Sequence, residues 1–241
     1  MRLTFGCLCA FVLSIVAIWA RPLHAQQYIT DDAGITGHRA CQIQMWHGER
    51  SSWVLPVCSP LRNIELSLGF IAVWKDEADG HFEYTAQGKT LFKPLTTNSW
   101  GAGLVLGTGR DPAFVGLTNE GYTIYGYVPL SVSFGDDRVI LHENTGWLYG
   151  RTNGVSTNAV TWALRGDVRV TTQFTVTGEV YGAEDVGSNG GGTPAEFQMG
   201  VRRLLRREHV QLDLSYGGTL RTGSPGAGWT IGLALITPPF L

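Results

Sequence analysis

The sequence predicts an all-β chain, a transmembrane antiparallel up-and-down β-barrel of about twelve strands. Three observations carry that expectation: apolarity that repeats every second residue, connections that alternate between short and long, and one long apolar run, confined to the start of the chain. Composition narrows the classes further. The 241 residues are 44% hydrophobic and 16% charged, with 32 Gly, 8 Trp, 8 Tyr and 10 Phe at a formal charge of −2. That is too apolar for a disordered chain, and the charge balance argues against nucleic acid as a partner. The mean hydropathy of +0.02 excludes a bundle of membrane helices but suits strands that give alternate residues to lipid and to lumen.

Residues 1–25 read as a secretory signal: basic Arg2, an apolar stretch from Leu8 to Ala20, then Leu23-His24-Ala25 before Gln26. An uncleaved anchor helix needs about 20 apolar residues, and Arg21-Pro22 interrupts this one. Cys7 and Cys9 leave with the signal, and 26–241 form one domain. Asp31-Asp32 offers hard oxygen ligands to a cation, although Asp beside Gly more often supplies turn geometry. The remaining cysteines, Cys41 and Cys58, flank the turn HGERS. A hairpin folded about Glu49-Arg50 sets Cys41 opposite Cys58 and Trp46 opposite Trp53, so a cross-strand disulfide is expected in an exported chain.

Alternation is clearest where Leu66, Leu68 and Phe70 oppose Glu65 and Ser67, and where Trp162, Leu164 and Val168 oppose Arg165, Asp167 and Arg169. Phe174, Val176 and Val180 likewise oppose Gln173, Thr175, Thr177 and Glu179, and Val210, Leu212, Leu214 and Tyr216 oppose Gln211, Asp213 and Ser215. Strands are expected near 40–47, 51–58, 63–73, 82–93, 99–107, 122–133, 138–149, 159–169, 173–182, 195–204, 208–216 and 229–237. SPLR, PLTT, FGDD, VTT and LRRE are the short connections; KDEADGH, TGRDPAFVGLTNEG, RTNGVSTN, AEDVGSNGGGTP and GGTLRTGSPGAG are the long ones.

Short turns at one end and long polar loops at the other are the pattern of a bacterial outer-membrane barrel with both termini periplasmic. A soluble sandwich alternates in the same way, but the signal, the strand length and the aromatic residues near strand ends favour the membrane. Trp46, Trp53, Trp74, Trp100, Trp147, Tyr149, Tyr181, Tyr216 and Trp229 are candidates for interfacial girdles against outer-membrane lipid. The final strand, WTIGLALITPPFL, ends on an aromatic-bearing pair, Phe240-Leu241.

The segments ITDDAGITGHRACQIQM, LRNIELSLGF and GDDRVILHENTGW, followed by the run from LRGDVRVTTQFTVTGEVYG to VQLDLSYG, resemble in order the outer-membrane proteins grouped as the "MetA-pathway of phenol degradation" family. The likeness covers most of the chain after the signal. It implies an outer-membrane β-barrel and the passage of aromatic or other small molecules. The cysteine pair lies outside the family pattern and reads as local reinforcement of the first hairpin.

The polar strand faces nominate Glu65, Arg165, Asp167, Arg169, Glu179, Glu196, Arg202, Gln211 and Asp213 as lumen-lining residues. Opposite charges on neighbouring strands serve either as a selectivity constriction or as an ion-pair ladder that fills the interior. Arg202, Arg203, Arg206 and Arg207 form a basic turn, with anionic headgroups as one partner and water as the plainer one. Gly190 to Gly192 mark an external loop, since no phosphate-binding pattern follows.

An enzyme acting on lipid would need a nucleophile and a base; Ser131 and Ser133 precede a strand carrying His142 and Asn144, but without the motifs of barrel hydrolases. His38, His47, His81, His142 and His209 show no ligand spacing, so neither metal nor cofactor is expected. The reading is a channel for small-molecule solutes whose loops 108–121 and 183–194 set entry, one of them folding inward as a plug. A non-conducting envelope scaffold is the alternative, and a lipid-modifying enzyme comes third.

Overall fold

The structure, a computed structural model, describes residues 28–49, 51–74, 80–109, 121–152, 155–186, 193–205, 209–220 and 228–237. Residues 1–25, expected to be a signal, Arg206, Arg207, Gly190 to Gly192, the centres of loops 108–121 and 183–194, and the last four residues lie outside them. Twelve strands alternate along the chain: β1 Cys41–Gly48, β2 Ser51–Leu61, β3 Ile64–Trp74, β4 Gly80–Lys93, β5 Trp100–Gly109 and β6 Gly121–Phe134. The second half comprises β7 Val139–Thr152, β8 Val155–Arg169, β9 Phe174–Asp185, β10 Thr193–Leu205, β11 Val210–Thr219 and β12 Gly228–Ile236. Each pairs antiparallel with its chain neighbours, and β1 pairs with β12, closing the barrel.

The side-chain period of two fixes which residues face where. Leu66, Leu68 and Phe70 are exposed on the outside of β3, while Glu65, Ser67 and Ile71 are buried on the inside. On β8, Val160, Leu164 and Val168 point outward; Arg165 and Asp167 point inward and are buried. This inversion of a soluble protein's polarity defines a transmembrane barrel, because a lipid-facing surface carries no hydration to lose. Phe92, Trp100, Phe134 and Phe174 ring the short-turn end, and Tyr122, Trp147 and Trp229 ring the other, the interfacial positions that amphipathic rings favour.

Three of the expected girdle residues face the wrong way for that role. Trp53 and Tyr181 are buried inside the barrel, and Trp46 lines the lumen beside Trp53. Their bulk fills interior space that β-strand curvature leaves, a use of aromatics that alternation alone does not distinguish. Trp100, Trp147 and Trp229 are exposed on the outer wall, Tyr149 stacks on Trp147, and Tyr216 packs 4.9 Å from Trp229.

RTNGVSTN is not a long loop. β7 and β8 continue to Thr152 and from Val155, with Tyr149 opposite Asn158 and Arg151 opposite Ser156, so only 153–154 connect them. The polar composition reflects strands that extend past the apolar belt, where both faces are wet. The first hairpin has the expected register: Cys41 faces Cys58, Trp46 faces Trp53, and a disulfide joins the cysteines across a Cα separation of 4.1 Å. Inside the barrel, Gly107 gives Tyr125 its place, since a Cβ there would stand 2.3 Å from the ring tip. Tyr125 then packs with Val105 and Leu148 as an inner apolar cluster.

Candidate functional site in the lumen

The lumen carries a belt of ionisable side chains toward the short-turn end, and a piece of the chain's own N-terminal region lies within it. Residues 28–40 turn back from the start of β1. Arg39, at a φ of 57°, adopts the left-handed backbone that local polar contacts stabilise, and its N–H donates to the Ser59 carbonyl at 2.8 Å. From there the chain enters the barrel, and Tyr28, Thr30, Ala33 and Thr36 are buried.

Side chains from five strands hold the main chain of this inner segment. Glu179 of β9 accepts from the N–H groups of Ile29 and Thr30, each at 3.0 Å. Arg165 of β8 donates to the Thr30 carbonyl. Asn144 of β7, with its amide oriented to its partners, accepts from the Asp31 N–H at 2.7 Å and donates to the Asp31 carbonyl at 3.0 Å. Ser131 of β6 accepts from Ala33 N–H at 2.8 Å, and Glu65 of β3 accepts from Thr36 N–H at 2.6 Å. A buried backbone amide without a partner is costly, so these wall residues meet a requirement that the segment creates by leaving water.

The segment's side chains are gripped as well. The Lys89 ammonium lies 2.9 Å from the Asp31 carboxylate and 3.6 Å from that of Asp32, and the Tyr127 hydroxyl donates to Asp31 at 3.1 Å. Arg165 and Arg202 each lie 5.9 Å from the centre of the Tyr28 ring, within the range of cation–π attraction. Burial pushes the Tyr28 hydroxyl up from its ordinary range and the charge of Asp213 adds to that, so it remains protonated. Asp32 closes a local turn by accepting from Gly34 N–H at 2.8 Å; the turn expected here therefore exists, while Asp31 beside it is part of the lumen.

The nine residues nominated from the strand faces occupy different settings. Arg165, Asp167, Glu65 and Glu179 meet around the inner segment, with Arg165 and Asp167 3.4 Å apart. Arg202, Asp213 and Gln211 form a second group in which Asp213 accepts from both others at 2.8 Å. Glu196 stands apart, accepting from Tyr181 at 2.8 Å. Arg169 is at the short-turn rim, 3.9 Å from Asp137. Lys89, Tyr127 and Tyr28 were not nominated; the register Glu65 opposite Lys89 is the signal that would have found the lysine.

Ser131, His142 and Asp167 make a hydroxyl–imidazole–carboxylate chain: 2.8 Å from Ser131 Oγ to His142 Nδ1, then 3.5 Å from His142 Nε2 to Asp167. Its outer member is fully buried and its oxygen already accepts Ala33 N–H. A nucleophile must reach its substrate, and here the hydroxyl holds the inner segment instead. Ser133 lies at the rim and donates to Asp137.

Beside the inner segment a cavity of about 440 Å³ stays open, bounded by the segment, by Trp46, Trp53, Tyr125 and Tyr127, and by Lys89, Arg165 and Arg202. No cluster of metal-ligating side chains occurs among the described residues.

Solved structures with this architecture include the COG4313 outer membrane channel from Pseudomonas putida F1, at a TM-score of 0.60 and 8% identity over 88% of this chain and 99% of that one. The KdgM porin in complex with disordered oligogalacturonate matches at 0.57 and 9% identity over 81% and 98%, and the NanC porin at 0.53 and 10% over 82% and 98%. These likenesses show a shared fold, that of outer-membrane barrels. The curated proteins contain no match to the chain. Residues 13–236 match the family described as uncharacterised conserved protein UCP029691, and the chain belongs to that family.

Proposed function

We propose that the protein is an outer-membrane channel for the passive passage of small-molecule solutes, in which the charged belt acts as the constriction. The carrying observation is the cavity that persists inside a closed barrel, lined by ionisable side chains and aromatic rings. Glu65, Arg165, Arg202 and Asp213 set acidic and basic side chains along it, and charges fixed in a lumen act on a passing solute over short distances. The solved barrels of the same architecture bear channel and porin titles, which supports the reading. The motif resemblance to the "MetA-pathway of phenol degradation" family and the rings of Trp46, Trp53, Tyr125 and Tyr127 favour solutes that bear aromatic groups. Neither cofactor nor catalytic group takes part.

Purified protein in a planar bilayer tests this. Discrete current steps, together with swelling of loaded liposomes by small uncharged solutes, are the expected result. Heat-modifiable, correctly folded protein that gives neither would replace the channel with a non-conducting scaffold. Lipid hydrolysis lost on His142→Ala would instead assign catalysis to the Ser131–His142–Asp167 chain.

A further inference from the structure

We propose that the lumen is a peptide-binding site, and that its solutes are short oligopeptides carrying an acidic residue. This rests on the channel reading and names its substrate class. The wall contacts to residues 29–36 are directed at main-chain groups: Glu179 takes two successive N–H groups, Asn144 takes both the N–H and the carbonyl of one residue, and Arg165 and Ser131 take a carbonyl and an N–H. Such contacts are satisfied by any peptide of suitable length, because every residue except proline offers the same donor and acceptor. Against that sequence-tolerant frame stands one selective pocket. Lys89, almost fully buried, has its ammonium 2.9 Å from Asp31, and Tyr127 donates to the same carboxylate.

The inner segment therefore occupies the site as a tethered stand-in for the solute. A tether supplies a high effective concentration, so a free peptide competes poorly until the segment is loosened. The cavity beside the segment gives an incoming peptide room to engage before the segment departs. A passive filler would need the same main-chain partners; what sets this site apart is the carboxylate pocket made by Lys89 and Tyr127, together with the open cavity beside it.

The test uses the full chain carrying Thr30→Pro and Ala33→Pro, which removes one of the two N–H groups held by Glu179 and the one held by Ser131, and a synthetic peptide of the sequence YITDDAGIT. Two readouts run in parallel, current in a planar bilayer and calorimetric titration in detergent. The peptide is expected to block the variant's current and to bind it more tightly than it binds the unmodified protein. Replacing the peptide's first aspartate by asparagine, or methylating the nitrogens of its second and third residues, is expected to weaken binding about tenfold, the scale of a charge-assisted hydrogen bond. Lys89→Met in the variant abolishes the preference for aspartate over asparagine.

A conducting variant that binds neither peptide nor its analogues overturns the proposal, as does equal binding of the methylated peptide; the contacts then serve only to lock the segment. Binding without current overturns the channel reading and leaves the peptide site standing. Should the double-proline variant fail to form a heat-modifiable barrel, Asp31→Asn in the full chain loosens the segment more gently, and absence of peptide binding there also overturns the proposal.

Discussion

Lys89 is the residue on which the interior charge balance turns. Its ammonium is buried, whereas the Asp31 and Asp32 side chains that it faces are partly open to water, so the carboxylates left by its loss stay partly solvated. Lys89→Met is expected to weaken docking of the inner segment by about 1–2 kcal/mol, the scale of a lost charge-assisted hydrogen bond, read as faster proteolysis within residues 28–36; adding Asp31→Asn should restore part of the protection. Asp137, in the turn between β6 and β7, makes a prediction about pH. Its carboxyl accepts from Ser133 and then Thr97, and these bonds hold it below the usual carboxylate range. A lowered folded-state value means a stabilising contribution present above the ordinary Asp range and lost as pH falls through the lowered value. The Asp137 carboxyl resonance should therefore titrate at lower pH than a free Asp, and Ser133→Ala should return it toward the ordinary range. At this scale the sequence was only partly legible. Alternation placed Glu65 and Arg165 on polar faces, but the partner of Asp31 lies 58 residues away at Lys89, a separation that no local pattern encodes.

Among the elements, the β1–β2 hairpin shows how much a register reveals. Turn position and cysteine spacing together dictate that Cys41 meets Cys58, because antiparallel pairing about a known turn leaves no freedom. Replacing both cysteines by serine is expected to cost about 2–4 kcal/mol by freeing the unfolded chain, measured as a lower midpoint of the heat-modifiable gel transition. An unchanged midpoint would mean that the neighbouring strands alone hold the hairpin. The β7–β8 pair was harder to read. Ser156, Thr157 and Asn158 look like loop residues because they lack the apolar half of the alternation, yet β8 runs through them. The inner segment was legible as a turn at Asp32 and Gly34 and illegible as an occupant of the lumen. Its attachments are to main-chain atoms, and a main chain leaves no mark in composition.

For the whole molecule, the decisive physics is which solvent touches which face. Leu68, exposed near the middle of β3, marks the depth at which lipid is driest. Leu68→Arg is expected to cost about 2–4 kcal/mol, the midplane penalty for a basic side chain on the lipid face of a barrel, whereas Thr230→Ser on an inward face should leave stability nearly unchanged; urea titration in detergent or lipid vesicles separates the two. The closed twelve-stranded architecture was readable from hydrophobic alternation and strand count because each strand repeats the same constraint. The assignment of Trp46, Trp53 and Tyr181 was not readable, since an aromatic ring is at home both at a headgroup layer and in a crowded interior.

The seam between β1 and β12 has a consequence for the order of assembly. The first strand of the barrel is a neighbour of the last, so the ring closes only when these two have met. The wall residues that hold the inner segment's main chain belong to β3 and β6 to β9, none of them at the seam. The segment can therefore settle onto a sheet that is still open, and the final strand then encloses it, much as a lid is fitted after the contents are in place.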